Sequence, residues 1–143
     1  MKPLLFSIEI NAPKARVHQL MLADKTYREW TSVFAEGSYF QGSWELGTQM
    51  LFTNSDAGSG MSARIAAHRS AEFVSIELLG MLNNGVPDTT NPLQGAFENY
   101  TYTEKDGITT LQVELEGLPA EWSEYLNAAW PKGLEKLKAI CER

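Results

Sequence analysis

The stretch NAAWPKGLEKLKAICER, residues 127–143, decides the fold. Its leucines, lysines and glutamates recur at helical spacing, yet Pro131 and Gly133 sit inside the pattern. Proline in a helix interior removes one backbone hydrogen bond and crowds the carbonyl four residues back, here that of Asn127, at a cost of roughly 3 kcal/mol. A fresh helix with Pro131 in its first position would make Trp130 the N-cap, and tryptophan is a poor cap. The pattern therefore predicts one long helix from about Ala120 to the end, bent at Pro131. Trp122, Leu126, Trp130, Leu134, Leu137 and Ile140 or Cys141 form its apolar stripe. That stripe needs a surface to cover, and the bend asks for a concave one.

The rest of the chain supplies it. From Leu4 to about Glu9, apolar and polar residues alternate as in a strand. NAPKARVHQLML then offers Asn11 as a cap and Pro13 in a first helical turn, and Asp24 is a second cap candidate. Beyond it Tyr27, Trp30 and Phe34 share one helical face. From residue 38 the period becomes two. SYFQGSW, TQMLFTN, GMSARIAA and FVSIELLGML read as strands separated by the turns ELG, SDAGSG and HRSAE. NNGVPDTTNPLQG lacks periodicity and reads as a surface loop. FENYTYTE and ITTLQVELEG then flank KDG, whose Asp106 and Gly107 suit a tight hairpin.

The expected architecture is α+β, with a strand, two short helices, six further strands and a long C-terminal helix in one domain spanning residues 1–143. A strongly twisted antiparallel sheet of seven strands curls, and only the terminal helix is long enough to lie in its hollow. A bend at Pro131 would follow the curl, and Gly133 would permit close approach.

Twelve basic against eighteen acidic residues give a net charge of −6, which repels phosphate backbones, so nucleic acid is not an expected partner. Ser7 and Glu9 interrupt the N-terminal LLF run before a signal peptide's apolar region would be complete, and no apolar run reaches membrane-spanning length. Cys141 is the only cysteine and so forms no internal disulfide, which points to a reducing, cytoplasmic setting and an inert thiol.

INAPKARVHQLM, YREWT, GSYFQGSWELGTQM, ENYTYTE, DGITTLQVELEG and WPKGLEKLK, in that order, make the chain resemble the SRPBCC or START-like superfamily. Within it, the chain resembles the prokaryotic homologues of the activator of the heat-shock protein 90 ATPase. The resemblance covers essentially the whole chain. It implies a helix-grip fold, in which a curved antiparallel sheet wraps a long C-terminal helix and leaves a cavity between them. It also implies a choice among lipid carriers, hormone and allergen-type binders, polyketide cyclases and chaperone co-factors active in the stress response, which fold alone does not make.

Strand parity sorts the candidates for the cavity. Met50 and Phe52 share a face, as do Glu98, Tyr100 and Tyr102, and Leu111, Val113 and Leu115 share one opposite Gln112 and Glu114. Trp30, Phe34, Trp44, Phe73, Met81, Trp122 and Trp130 add large apolar surface, so the expected ligand-binding set is these seven with Met50, Phe52, Glu98, Tyr100 and Tyr102. Each could equally fill a core, but adaptable methionines and amphipathic rings together suit a pocket that accepts a guest. Glu98 either orients a ligand or serves as a general base, or else lies at the solvent-exposed start of its strand. Arg64 reads as a solvated strand residue, and His68 and Arg69 as part of the next turn. Neither His18 nor His68 has a second ligand at metal-binding spacing, and no phosphate loop or nucleophile elbow is present, so no metal or cofactor is expected.

The first expectation is a non-enzymatic module that holds a small hydrophobic or aromatic molecule beneath the terminal helix. The alternatives are a co-chaperone, whose partner would be a chaperone, and cyclase or hydrolase-like chemistry using Glu98.

Overall fold

The computed structural model describes residues 2–56 and 58–143; Met1, and Ala57 within the expected SDAGSG turn, lie outside the described residues. The elements are β1 (Leu4–Ile10), α1 (Lys14–Leu22), α2 (Asp24–Trp30), β2 (Tyr39–Gln41), β3 (Gln49–Thr53), β4 (Met61–Arg69), β5 (Phe73–Asn83), β6 (Val86–Pro87), β7 (Ala96–Lys105), β8 (Ile108–Glu116) and α3 (Ser123–Glu142). A single 3-10 turn follows α2 and another, Ala120–Trp122, leads into α3. All strand pairs are antiparallel, in the order β1-β8-β7-β5-β4-β3-β2, with β6 paired to the end of β5. The α+β helix-grip architecture expected from the sequence is the one observed.

Alternation builds the hollow. On β5, Val74, Ile76 and Leu78 are buried, and on β8 so are Leu111, Val113 and Leu115, while Gln112 faces solvent. Residues two apart share a face, so these sets line one side of the sheet. The β4–β5 ladder shifts register between Ser62 and Ala63 and again between Ile65 and Ala67. Each such irregularity adds local twist and bend, which deepens the curl.

The long helix runs through Pro131 without interruption. Pro131 and Asn127 both face solvent, so water can satisfy the carbonyl that loses its partner. The opposite face carries the buried stripe Leu126, Trp130, Leu134, Leu137 and Ile140. Gly133 belongs to this buried face, where a Cβ would stand 3.2 Å from Phe34 Cε2 and 3.4 Å from Val33 Cγ2. The close approach is thus to the α2 end rather than to the sheet. Alanine there gains about 1 kcal/mol of helix propensity against a contact that Phe34 relieves by moving a few tenths of an ångström. Gly133→Ala is therefore expected to stay within about 1 kcal/mol of the parent in urea unfolding, whereas Gly133→Leu overpacks the seam and costs roughly 2 kcal/mol or more. Equal tolerance of both would mean that α3 does not sit against Phe34.

Several local expectations are corrected. The N-cap of α1 is Pro13, not Asn11, and that of α2 is Ala23, not Asp24. Glu104, at the far end of β7, accepts from the Lys14 backbone N–H at 2.8 Å, so a distant carboxylate does the work of a local cap. The Asn11 N–H donates to Glu142 Oε2 at 2.7 Å, tying the start of α1 to the end of α3. β4 continues through His68 and Arg69, leaving a turn at residues 70–72 with Ala71 at φ 58°. The sheet has eight strands rather than seven, because Asn84 (φ 52°) and Gly85 (φ 80°) form a two-residue turn that folds β6 back on β5. Asn-Gly is a strong hairpin signal, and it lies inside the segment the missing periodicity marked as loop. The Asp106-Gly107 hairpin is where the sequence places it.

Candidate functional site

Between the hollow of the sheet and α3 lies a cavity of about 480 Å³, within the range that holds a drug-sized molecule. Tyr27 and Trp30, one turn apart on α2, form one wall with Phe34. Phe52, Leu78 and Leu115 contribute from the sheet, and Trp130, Leu126 and Trp122 form the roof. Exposed Met81, Glu121 and Tyr125 mark the mouth. The roof is held by packed rings, with Trp130 5.8 Å from Trp30, 5.0 Å from Phe34 and 6.2 Å from Tyr100.

Several polar groups in this wall are spent on the backbone. Trp30 Nε1–H donates to the Met21 carbonyl at 2.9 Å, Thr31 Oγ1 to the Tyr27 carbonyl at 2.6 Å and Thr53 Oγ1 to the Ser59 carbonyl at 2.6 Å. The Tyr125 hydroxyl donates to the Phe34 carbonyl and so pins α3 to the α2 end. The Glu98 carboxyl and the Tyr27 hydroxyl are available to the interior, and the Tyr27 hydroxyl has no hydrogen-bond partner among the described residues.

Glu98 lies opposite Ile76 and Leu115 inside the sheet, two residues into β7, and not at an exposed strand end. Protein surrounds it, and the surface it keeps is that of the cavity. The hydroxyl of Tyr100, its neighbour on the same face, donates to it. Burial pushes the carboxyl up from 4.5 to about 7, and the Tyr100 hydrogen bond offsets part of that. Burial also raises Tyr27 and Tyr100, helped by the Glu98 charge, so both hydroxyls stay protonated donors at neutral pH.

The structure brings together Trp30, Phe34, Phe52, Met81, Glu98, Tyr100, Trp122 and Trp130 around the cavity. Trp44, Met50, Phe73 and Tyr102 lie elsewhere. Tyr102 shares the face of Tyr100, but α1 covers that end of the hollow, and its hydroxyl donates to Met21 Sδ at 3.1 Å. Trp44 backs the wall from outside, with its indole N–H on the Leu22 carbonyl at 3.0 Å and its ring against Tyr27 and Phe52. Met50 is fully buried in the core. Phe73 has the parity opposite to Val74 and Ile76, so it looks outward, under the Arg69 guanidinium at 5.5 Å. Tyr27, Met61, Leu115 and Tyr125 line the cavity without having been candidates. Tyr27 was within reach, since it shares the helical face of Trp30 and Phe34.

Sequence spacing also hid a pair. His18 on α1 and His68 on β4 meet Nε2 to Nε2 at 2.9 Å, and His68 Nδ1 faces the Trp44 carbonyl at 2.6 Å. A carbonyl only accepts, so Nδ1 carries a proton, and the shared contact leaves the pair room for one positive charge at most. Burial and the facing His68 lower the pKa of His18. No group of three or more potential metal ligands occurs among the described residues. Burial pushes the Cys141 thiol up to about 11, which makes it a poor nucleophile.

Neither a family model nor a curated protein sequence matches this chain. Solved structures do match. The Aha1 dimer from Colwellia psychrerythraea is 16% identical with a TM-score of 0.77, over 99% of this chain and 97% of that one. Protein MLL2253 from Mesorhizobium loti is 15% identical with a TM-score of 0.74, over 97% and 96%. CalU16 from Micromonospora echinospora is 15% identical with a TM-score of 0.69, over 97% and 75%. Identities this low establish the fold alone: the chain has the helix-grip architecture, and its structural neighbours include an Aha1 dimer.

Proposed function

We propose that this chain is a binding module that holds a small apolar or aromatic molecule between the sheet and α3. The observation that carries this is the cavity of about 480 Å³, walled by aromatic rings, with the Trp30 indole N–H and the Thr31 and Thr53 hydroxyls already bonded to the backbone. Burying about 150 Å² of ligand apolar surface at roughly 25 cal/mol per Å² supplies about 4 kcal/mol before the cost of association, on the scale of millimolar binding, and polar contacts add to it. A cytoplasmic setting belongs to the same proposal. No helix among the described residues is long and apolar enough to cross a membrane.

Native mass spectrometry of the purified chain is expected to find a retained organic guest. At a hundredfold excess over its dissociation constant, an aromatic ligand contributes about 2.7 kcal/mol and raises the melting temperature by several degrees. No guest and no thermal shift across a panel of aromatic and lipid molecules would remove the proposal.

A second reading has one specific observation behind it. Glu98 sits inside the cavity with a carboxyl near neutrality, the property a general base needs. The co-chaperone alternative draws on the Aha1 likeness alone. The large exposed apolar residues Leu5, Leu46 and Val86 are spread over β1, the turn before β3 and β6, and unchanged turnover of a heat-shock protein 90 ATPase at saturating protein would exclude the role.

A further inference from the structure

The charges of the cavity are all of one sign. Glu98 lies inside and Glu121 at the mouth, while no lysine, arginine or histidine lines the space among the described residues. Eight of the lining side chains are aromatic: Tyr27, Trp30, Phe34, Phe52, Tyr100, Trp122, Tyr125 and Trp130. An ionised carboxylate offers about four acceptor sites, and Glu98 receives one hydrogen bond, from Tyr100. A buried carboxylate without a cationic partner is costly, so a guest that brings a positive charge recovers what the empty site lacks. Aromatic faces attract the same charge through their quadrupoles. A guest carboxylate would meet like charge in the same apolar space and be disfavoured.

We propose that the cavity selects apolar, ring-bearing molecules that end in a protonated amine, seated with the nitrogen against the Glu98 carboxylate and the Tyr27 hydroxyl and the apolar body along the aromatic wall. This rests on the binding role argued above and names its ligand class. A net charge of −6 favours the approach of cations at low ionic strength. Two consequences separate an amine from a neutral guest of the same shape. The titratable groups that share the cavity with Glu98 are Tyr100 from its own strand, Tyr27 from α2, and Glu121 and Tyr125 at the mouth, none of them cationic. A bound ammonium therefore holds Glu98 ionised and displaces its proton. Amine affinity then rises with pH and flattens above about pH 8, while that of a neutral guest does not rise.

Tryptamine, tryptophol and indoleacetate share one ring system and nearly one length, and differ in carrying an amine, an alcohol and a carboxylate. Calorimetric titration of the parent chain at about pH 8 is expected to rank tryptamine at least about tenfold tighter than tryptophol, with indoleacetate weakest. At about pH 5.5 the tryptamine advantage should shrink about tenfold. Glu98→Gln keeps the shape and an acceptor for Tyr100 but cannot ionise; it should abolish the preference for tryptamine over tryptophol. The pH comparison uses the parent chain and so stands even if the variant folds poorly. Tryptophol binding as tightly as tryptamine, or a preference that survives both acid and Glu98→Gln, overturns the amine assignment and leaves the binding role intact. Failure of all three to bind at millimolar concentration overturns the amine assignment, and the wider aromatic and lipid panel then decides the binding role.

Discussion

The Glu98→Gln chain is expected to melt several degrees above the parent at pH 8 and at nearly the same temperature at pH 4.5. In the folded chain burial raises the Glu98 carboxyl from 4.5 to about 7. Between those values the folded state still holds the proton that the unfolded chain has released, so folding takes up a proton there and stability falls as pH rises. The contribution is complete below the unfolded value, declines through the window and levels off above the folded value. A shift of this size corresponds to something on the order of 3 kcal/mol. Glutamine never ionises, so the variant escapes this loss, and its amide oxygen can still accept from the Tyr100 hydroxyl. Asp88 and Glu142, whose pKa values are lowered by hydrogen bonds, move stability in the opposite direction at acid pH, but identically in both chains. The informative quantity is therefore the difference between variant and parent across a pH series of thermal melts. A constant difference would assign the effect to packing, and a variant less stable at pH 8 would mean that Glu98 is well solvated.

Trp130→Ala should be the most destabilising of the substitutions considered, by about 3 kcal/mol, near the lower end of the usual range for removing a buried indole. Trp130 is only 3% exposed, and it meets Trp30, Phe34 and Tyr100 on the α2 and β7 sides and Phe6 of β1 at 6.2 Å. One ring thus joins the roof to both walls of the hollow. The lower end applies because part of the ring borders the cavity rather than packed atoms, so less contact is lost. For a chain of this length the melting temperature should drop by roughly 10 °C. The variant enlarges the existing cavity, and an apolar hole of that shape takes up an aromatic guest, so added indole should recover part of the loss in the variant and less in the parent. A loss below about 1 kcal/mol would mean that α3 does not roof the hollow through this ring.

What the sequence made legible followed from local periodicity. The alternation in ENYTYTE put Glu98, Tyr100 and Tyr102 on one face, and the three- and four-residue spacing from Trp122 to Ile140 produced the buried stripe of α3. The resemblance then matched the helix-grip architecture. Local chemistry also misled: Asn11 and Asp24 looked like caps, while Glu104, some ninety residues from the helix it serves, was the acceptor. The Asn84-Gly85 turn was present in the sequence but masked by the irregular residues around it.

Parity determines which face a side chain occupies, and the chain alone is enough to read it. It does not determine which neighbour covers that face. Tyr100 and Tyr102 have the same parity, yet α1 closes over Tyr102 with Met21 while Tyr100 borders empty space. The meeting of His18 with His68, fifty positions apart, is of the same kind. Burial and the pKa of Glu98 come from the packing of α2 and α3 across the curled sheet, a long-range arrangement, because desolvation depends on every atom within several ångströms and not on the residues adjacent in sequence.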